Sequence, residues 1–235
     1  DTTMALALGE SILENRRFEQ IDMAQAFDRW LKGKPVDVGN TVRRGIIHYR
    51  LSGDPCSPVN EFDAGNGACM RVLPVALATL NETEPEIARI CRMQSHVTHN
   101  NPVSDAAVDC VVEMIHMGLR GESLEQMANG PVERLIADNP RFDYRKKPHK
   151  NPSAYIVDTI RVVFQALFIT DSFEQCLIET VNRGGDADTT GAIAGMIAGA
   201  HYGKEAIPRR WLRALNKHVA EQCIVQAGAL IKGLL

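Results

Sequence analysis

The densest chemistry in the chain lies in the run Asn182-Arg183-Gly184-Gly185-Asp186-Ala187-Asp188-Thr189-Thr190-Gly191. Two glycines precede two carboxylates set two residues apart, and hydroxyls follow at once. Gly184 and Gly185 suit a tight turn. An apolar, small-residue helix is predicted from Ala192 to about Ala200, which crowds Asp186, Asp188 and Thr189 at its N-terminus. Carboxylates there gain from the helix dipole. Several oxygens converging on one point also suit a hard cation such as Mg2+, Mn2+ or Ca2+. Two readings stay open on residue types alone: an N-cap with a first-turn acid, or a metal site. An EF-hand is excluded, because its later ligand positions hold Ile193 and Met196. A second acid opens the chain, Asp1-Thr2-Thr3-Met4, ahead of an Ala/Leu helix. Two such helix starts suggest facing helix ends that share metal ions.

Other polar groups carry weaker signals. Asp37-Val38-Gly39-Asn40-Thr41 places a carboxylate, an amide and a hydroxyl ahead of a helix, where Asp37 or Asn40 serves either as N-cap or in chemistry. The loop Asp63 to Arg71 is Gly-rich, and its amides could cradle a phosphate. It lacks the Lys of a P-loop, which argues against nucleotide hydrolysis. His96 and His99 sit where a helix ends in polar residues, as candidate ligands or as partners of the helix dipole. No His pair has zinc spacing and no C-x-x-C supports one. Arg141, Arg145, Lys146, Lys147 and Lys150 make a basic loop, either solvated or in contact with a phosphate or a partner. No G-x-S-x-G elbow marks a nucleophilic serine.

The elements that must hold these groups read as helices. Ile156, Ile160, Val163, Phe164 and Leu167 recur at three- and four-residue steps, as do Ala107, Val111, Met114 and Ile115, and Phe173, Leu177 and Val181. Capping boxes are predicted at Thr83 with Glu86, Ser123 with Gln126 and Asp171 with Glu174. Breakers fall between the stripes at Gly33 to Pro35, Gly53 to Pro58, Asn100 to Pro102, Asn139-Pro140 and Pro148 to Pro152. No apolar/polar alternation bounded by hairpin turns is present. The expected fold is all-α, a single compact multi-helix domain of about ten helices. Gly191, Gly195 and Gly199 interrupt the helix that follows the acid cluster, which fits a buried central helix whose backbone lies against a neighbour.

Composition narrows the function classes. With 26 Lys and Arg against 29 Asp and Glu, the formal net charge is -3, so no global basic field exists to hold nucleic acid. Apolar residues at 45% of 235 can build a core without staples. The six cysteines form no C-x-x-C pair and several lie on apolar stripes, which fits a reducing cytoplasm. No apolar run approaches the ~18 residues of a membrane span, and no secretory leader is expected.

The motifs, taken together and in order, resemble the ADP-ribosylglycohydrolase family. N-R-G-G-D-A-D-T-T-G-A-I-A-G-M-I-A-G-A-H-Y-G (Asn182 to Gly203) is similar to its C-terminal metal motif, and Asp1-Thr2-Thr3-Met4 to the end of its T-D-D-T-x-M motif. G-N-G-A-C-M-R (Gly65 to Arg71), T-H-N-N-P (Thr98 to Pro102), S-A-Y-I-V-D-T (Ser153 to Thr159) and I-P-x-x-W (Ile207 to Trp211) are similar too. Pro35 to Ile46, with A-Y-I-V-D-T, resembles the branch that reactivates dinitrogenase reductase, the nitrogenase Fe protein, in nitrogen-fixing bacteria. The resemblance implies two Mn2+ (or Mg2+) ions, with Asp1, Asp186, Asp188 and Thr189 matching metal ligands. Asp37 matches a carboxylate beside the scissile bond and Asn40 lies near it, while Gly65, Asn66, Gly67, His99 and Tyr155 match positions lining the ADP-ribose pocket. The implied reaction is hydrolysis of the N-glycosidic bond between ADP-ribose and an arginine of the Fe protein. The alternatives are another ADP-ribosylated protein or metabolite as substrate, or a catalytically silent ADP-ribose-binding module. A PII signalling protein and an ammonium transporter are implied partners of a cytoplasmic monomer recruited peripherally to the inner membrane. The family begins with a further segment holding a G-D-A-L-G-type helix, a glutamate and the first residues of T-D-D-T. None of these precedes Asp1, so the sequence is expected to be a piece of a longer chain.

Overall fold

The computed structural model describes residues 1–233. Its α-helices run, in chain order, α1 (Thr2–Asn15), α2 (Gln20–Lys32), α3 (Asn40–Ser52), α4 (Leu73–Ala78), α5 (Glu84–His96), α6 (Pro102–Leu119), α7 (Leu124–Met127), α8 (Glu133–Asp138), α9 (Ile156–Ile169), α10 (Phe173–Val181), α11 (Ala187–Tyr202), α12 (Arg209–Ala214) and α13 (Lys217–Ile231). No β-strand occurs among the described residues, and the fold is all-α. The helices outnumber the ten expected because α4, α7, α8 and α12 have only four to six residues, too few to show a 3.6-residue period. The predicted breakers at Gly33 to Pro35 and Asn139-Pro140 fall between α-helices, and Asn100 to Pro102 ends with Pro102 as the first residue of α6.

The chain forms two compact units. The first comprises Asp1–Val108 and the chain from Lys217 onward. Its core is built from side chains four residues apart on α1 (Met4, Leu8, Ile12), with Met23 and Phe27 of α2, Ile46 of α3, Ile90 of α5 and Leu230 of α13. α1 packs on α2, α4 and α13, so the two separated stretches of sequence share one core. Gln226 on α13 donates through Nε2 to the Leu6 carbonyl at 2.9 Å. The end of its side chain fills the space beside Gly9, where a β-carbon would make it move aside.

The second unit spans Asp109–Asn216. α9, α10 and α11 pack against one another, with Ile160, Val163, Phe164 and Leu167 of α9 wholly buried. α11 begins five residues earlier than the expected apolar stretch and contains the glycine stripe. A β-carbon on Gly191 would meet Val181 at 3.2 Å, one on Gly195 would meet Leu177 at 3.8 Å, and one on Gly199 would meet Phe173 at 4.0 Å. The neighbour predicted by the stripe is therefore α10, whose residues at steps of four lie along it.

The caps divide. Ser123 and Gln126 form the full box: Ser123 Oγ accepts from the Gln126 amide at 3.2 Å, and Gln126 Oε1 accepts from the Ser123 amide at 2.8 Å. Thr83 stands at the N-cap of α5 without a side-chain cap bond. Glu86 instead accepts from the Arg89 guanidinium at 2.6 and 2.8 Å. The cap of α10 is Ser172, whose Oγ accepts from the Gln175 amide, rather than Asp171 one residue before it. Both residue types suit that position, and only the backbone course decides between them.

Candidate active site

The start of α11 is held by a glycine turn. Gly184 and Gly185 have φ of 76° and 62°, a region costly for any side chain. A β-carbon on Gly185 would also fall 2.7 Å from the Pro152 nitrogen. That close approach lets the Asp186 amide donate to the Pro152 carbonyl, while the Asn151 amide donates to the Arg183 carbonyl, both at 2.8 Å. Asp186 is the N-cap residue, but its carboxylate makes no capping bond. Its carbonyl instead accepts from Thr190, amide and hydroxyl both. Asp188 lies exposed in the first turn and Thr189 is buried. Two carboxylates and a hydroxyl thus stand at the positive end of a sixteen-residue helix. These are hard oxygen donors, the kind Mg2+ and Mn2+ take. Among the described residues no three His, Cys, Asp or Glu side chains gather as a metal-holding group.

Tyr155 is the N-cap of α9 in the same unit and is half-buried. Its hydroxyl accepts from Arg141 Nη1 at 3.2 Å, which ties one cation of the basic loop to the start of the helix. Ser153 donates to Asp158 at 2.9 Å and accepts from the Tyr155 amide, fixing the turn.

The remaining sequence candidates belong to the first unit. Asp1 is the N-cap of α1, and its carbonyl accepts from the Met4 and Ala5 amides. Asp37 lies exposed in the loop before α3, with Oδ1 accepting from the Val38 amide at 2.7 Å. Neither it nor Asn40 caps α3. Gly39 is the N-cap residue and Asn40 is already the first helical residue, exposed. Behind them α3 runs close to the chain after α5: a β-carbon on Gly45 would stand 2.6 Å from the Thr98 Cα. A cavity of about 280 Å³ opens here, lined in part by Thr41, Arg44, His48, Asp63 and His99. Thr41 donates to Asp63 Oδ1 at 2.8 Å and Arg44 pairs with the other carboxylate oxygen.

The Gly-rich loop packs beside this cavity. Ser104 holds the Gly65 carbonyl at 3.0 Å, Asn66 is buried, and a β-carbon on Gly67 would lie 2.7 Å from His99 Cε1 and 3.0 Å from Nε2. His99 is buried, and burial, then the nearby Arg71 and Arg44 charges, push its pKa down to about 3. It is a neutral imidazole at ordinary pH. His96, the other candidate histidine, is paired instead: its Nε2 lies 2.9 Å from Asp105 Oδ2, with Arg92 at 3.4 Å from the same oxygen.

Sequence reasoning missed the interior of this region. Arg71, at the end of the Gly-rich loop, is wholly buried and lies over the Phe27 ring, 4.4 Å from its centroid. It donates to the Gln94 side chain and carbonyl at 3.0 and 2.7 Å, and to Thr98 Oγ1 at 2.8 Å. Nothing local in the sequence marks its burial. The Asp63–Arg44 pair was equally hidden, since nineteen residues separate its members.

Known proteins match this chain over nearly its whole length. The profile of the ADP-ribosylglycohydrolase family matches residues 1–234. The chain is 45% identical, over 98% of its length and 78% of the relative's, to the ADP-ribosyl-[dinitrogen reductase] glycohydrolase of Rhodospirillum rubrum. It is 29% identical to the ADP-ribosylarginine hydrolase Tri1 of Serratia proteamaculans, over 97% of the chain and 67% of that protein. A solved structure titled ADP-ribosylglycohydrolase-related protein complex superposes with a TM-score of 0.86 at 32% identity, covering 98% of this chain and 79% of its own. The fold, the ordered motifs and these matches agree: the chain belongs to the ADP-ribosylglycohydrolase family of hydrolases.

Proposed function

We propose that this chain hydrolyses the N-glycosidic bond between ADP-ribose and an arginine of dinitrogenase reductase, releasing ADP-ribose and restoring the Fe protein. The observation that carries the proposal is the 45% identity over 98% of the chain to a glycohydrolase named for that substrate. The match to an ADP-ribosylarginine hydrolase supports arginine as the acceptor.

Asp186, Asp188 and Thr189, and separately Asp1, are the proposed ligands of two Mn2+ or Mg2+ ions. The donor set of the α11 start fits in kind, being carboxylates and a hydroxyl on a rigid helix end. Such ions, when bound, supply Lewis acidity toward ribose and water oxygens and offset the repulsion of neighbouring carboxylates. The chain's own groups do the rest. Asp37 is the proposed general acid/base: its Oδ1 is held by the Val38 amide, and the carboxylate sits on an exposed loop that a protein-linked substrate can reach. Asn40 opens α3 three residues later. The Gly65–Asn66–Gly67 backbone offers amides to phosphate oxygens. His99 supplies a neutral polar edge, and Tyr155 an aromatic face held by Arg141.

By the same resemblance a PII signalling protein and an ammonium transporter are proposed partners of a monomeric enzyme. Recruitment to the inner membrane through those partners is part of the proposal; no helix among the described residues is long and apolar enough to cross a membrane.

The test is release of ADP-ribose from ADP-ribosylated dinitrogenase reductase, with and without Mn2+. Release that depends on the ion is expected. No release in either condition, with the substrate shown to be modified, would sink the proposal. Cleavage of a serine-linked substrate alone would move the chain to another acceptor.

A further inference from the structure

We infer that Arg71 is a positioning residue which, through the Thr98 hydroxyl, fixes His99 as the Nε2–H tautomer, so that His99 donates a hydrogen bond to an oxygen of bound ADP-ribose. The inference rests on the ADP-ribose reading above and adds how one of its groups is set.

The argument is a count of protons. Arg71 is always a donor, and one of its Nη2 hydrogens goes to Thr98 Oγ1 at 2.8 Å. The same oxygen lies 2.8 Å from His99 Nδ1. A hydroxyl has a single proton to give. With the guanidinium occupying one of its lone pairs, that proton is directed to Nδ1, the acceptor in reach among the described residues. Nδ1 is then unprotonated, and the proton of the neutral imidazole must sit on Nε2. That edge stands against Gly67, whose missing side chain leaves the room it needs, and the ring belongs to the wall of the 280 Å³ cavity.

The burial of Arg71 is otherwise hard to justify. Its guanidinium has no carboxylate partner among the described residues and is held by neutral oxygens, the Met4 sulfur and an aromatic ring. An enclosed cation without a counter-ion is costly and tends to mark a functional arrangement. Methionine or leucine would fill the volume at lower cost, but neither could orient Thr98. Burial first, and the Arg71 charge beyond the Thr98 hydroxyl second, oppose a second proton on the ring, whose pKa is pushed down to about 3.

The full chain is labelled with 15N in its histidine rings, and His99 is assigned by the signal lost in His99→Gln. The ring correlations of wild type are expected to show the Nε2–H pattern. In Thr98→Val, close in shape but without the hydroxyl, the tautomers should mix, and the Kd for free ADP-ribose should rise about tenfold. Thr98→Ser, which keeps the hydroxyl, should retain both properties. Arg71→Lys should mix the tautomers while keeping the charge, and should it fail to fold, the Thr98 pair decides. Turnover of a modified protein by Thr98→Val should lose in KM with kcat nearly kept. An Nδ1–H pattern in wild type, or a Thr98→Val with unchanged tautomer or unchanged affinity, overturns the inference. If the chain binds ADP-ribose but hydrolyses nothing, the spectra and the affinities still decide this point, and only the hydrolytic reading falls.

Discussion

At the scale of the residue, Asp37 and the α11 acids ask for different readouts. Asp37→Ala removes an exposed carboxylate whose one side-chain bond among the described residues goes to the next amide, so the fold should stand. Turnover should fall about 10²–10⁴-fold, as removal of a general acid/base does, with binding of the modified protein kept. Wild-type turnover would take Asp37 out of the chemistry. Asp186→Ala and Asp188→Ala should each lose bound Mn2+ by elemental analysis, and unchanged metal content would take them out of the ligand set. His99 makes a pH prediction. Its folded pKa of about 3 lies below the ordinary 6.5, so between those values the unfolded chain holds a proton that the folded chain does not. Stability contributed by this group is whole above about pH 6.5 and is lost as pH falls, by up to about 1.4 kcal/mol per unit. In urea titrations across that window His99→Gln should show a flatter acid limb than wild type. An identical limb would mean that His99 is not kept neutral by its surroundings.

At the scale of the element, the glycines of α11 are not equivalent. A β-carbon on Gly195 meets only an ordinary contact with Leu177, so Gly195→Ala should stabilise by up to about 1 kcal/mol through helix propensity. At Gly191 the same carbon presses on Val181 at 3.2 Å, and the gain should be cancelled or reversed. Thermal unfolding of the two variants tests the α10–α11 packing directly. Here the residue pattern was most legible. A four-residue glycine step has one simple cause, a close backbone neighbour, and the stripes on α6 and α9 named their buried residues. What the pattern did not show follows from the physics of each case. Six-residue helices carry less than two turns, Asp171 and Ser172 compete as equal caps, and the Arg71–Thr98–His99 chain depends on residues 27 positions apart. The α11 start was legible because its chemistry is local, with turn, cap and acids within eight residues.

At the scale of the whole molecule, the first unit is assembled from two pieces of sequence, and α13 is the second. Leu230 is its buried anchor, 1% exposed. Leu230→Ala should cost about 2–4 kcal/mol, the usual range for emptying a buried leucine site. Amide exchange should then quicken in α1 and α4, the helices α13 packs on. Unchanged exchange there would show that the last helix contributes little to the core of this unit.

That division also orders events during translation. Residues 109–216 leave the ribosome complete while the unit begun before them still waits for α13. Until then the α1 surface that Gln226 will cover stays bare and is open to chaperones. The hundred-residue interval makes this closure a long-range event, slow by its topology, and ribosome stalling before Lys217 should trap a nascent chain sensitive to protease in α1 and α4.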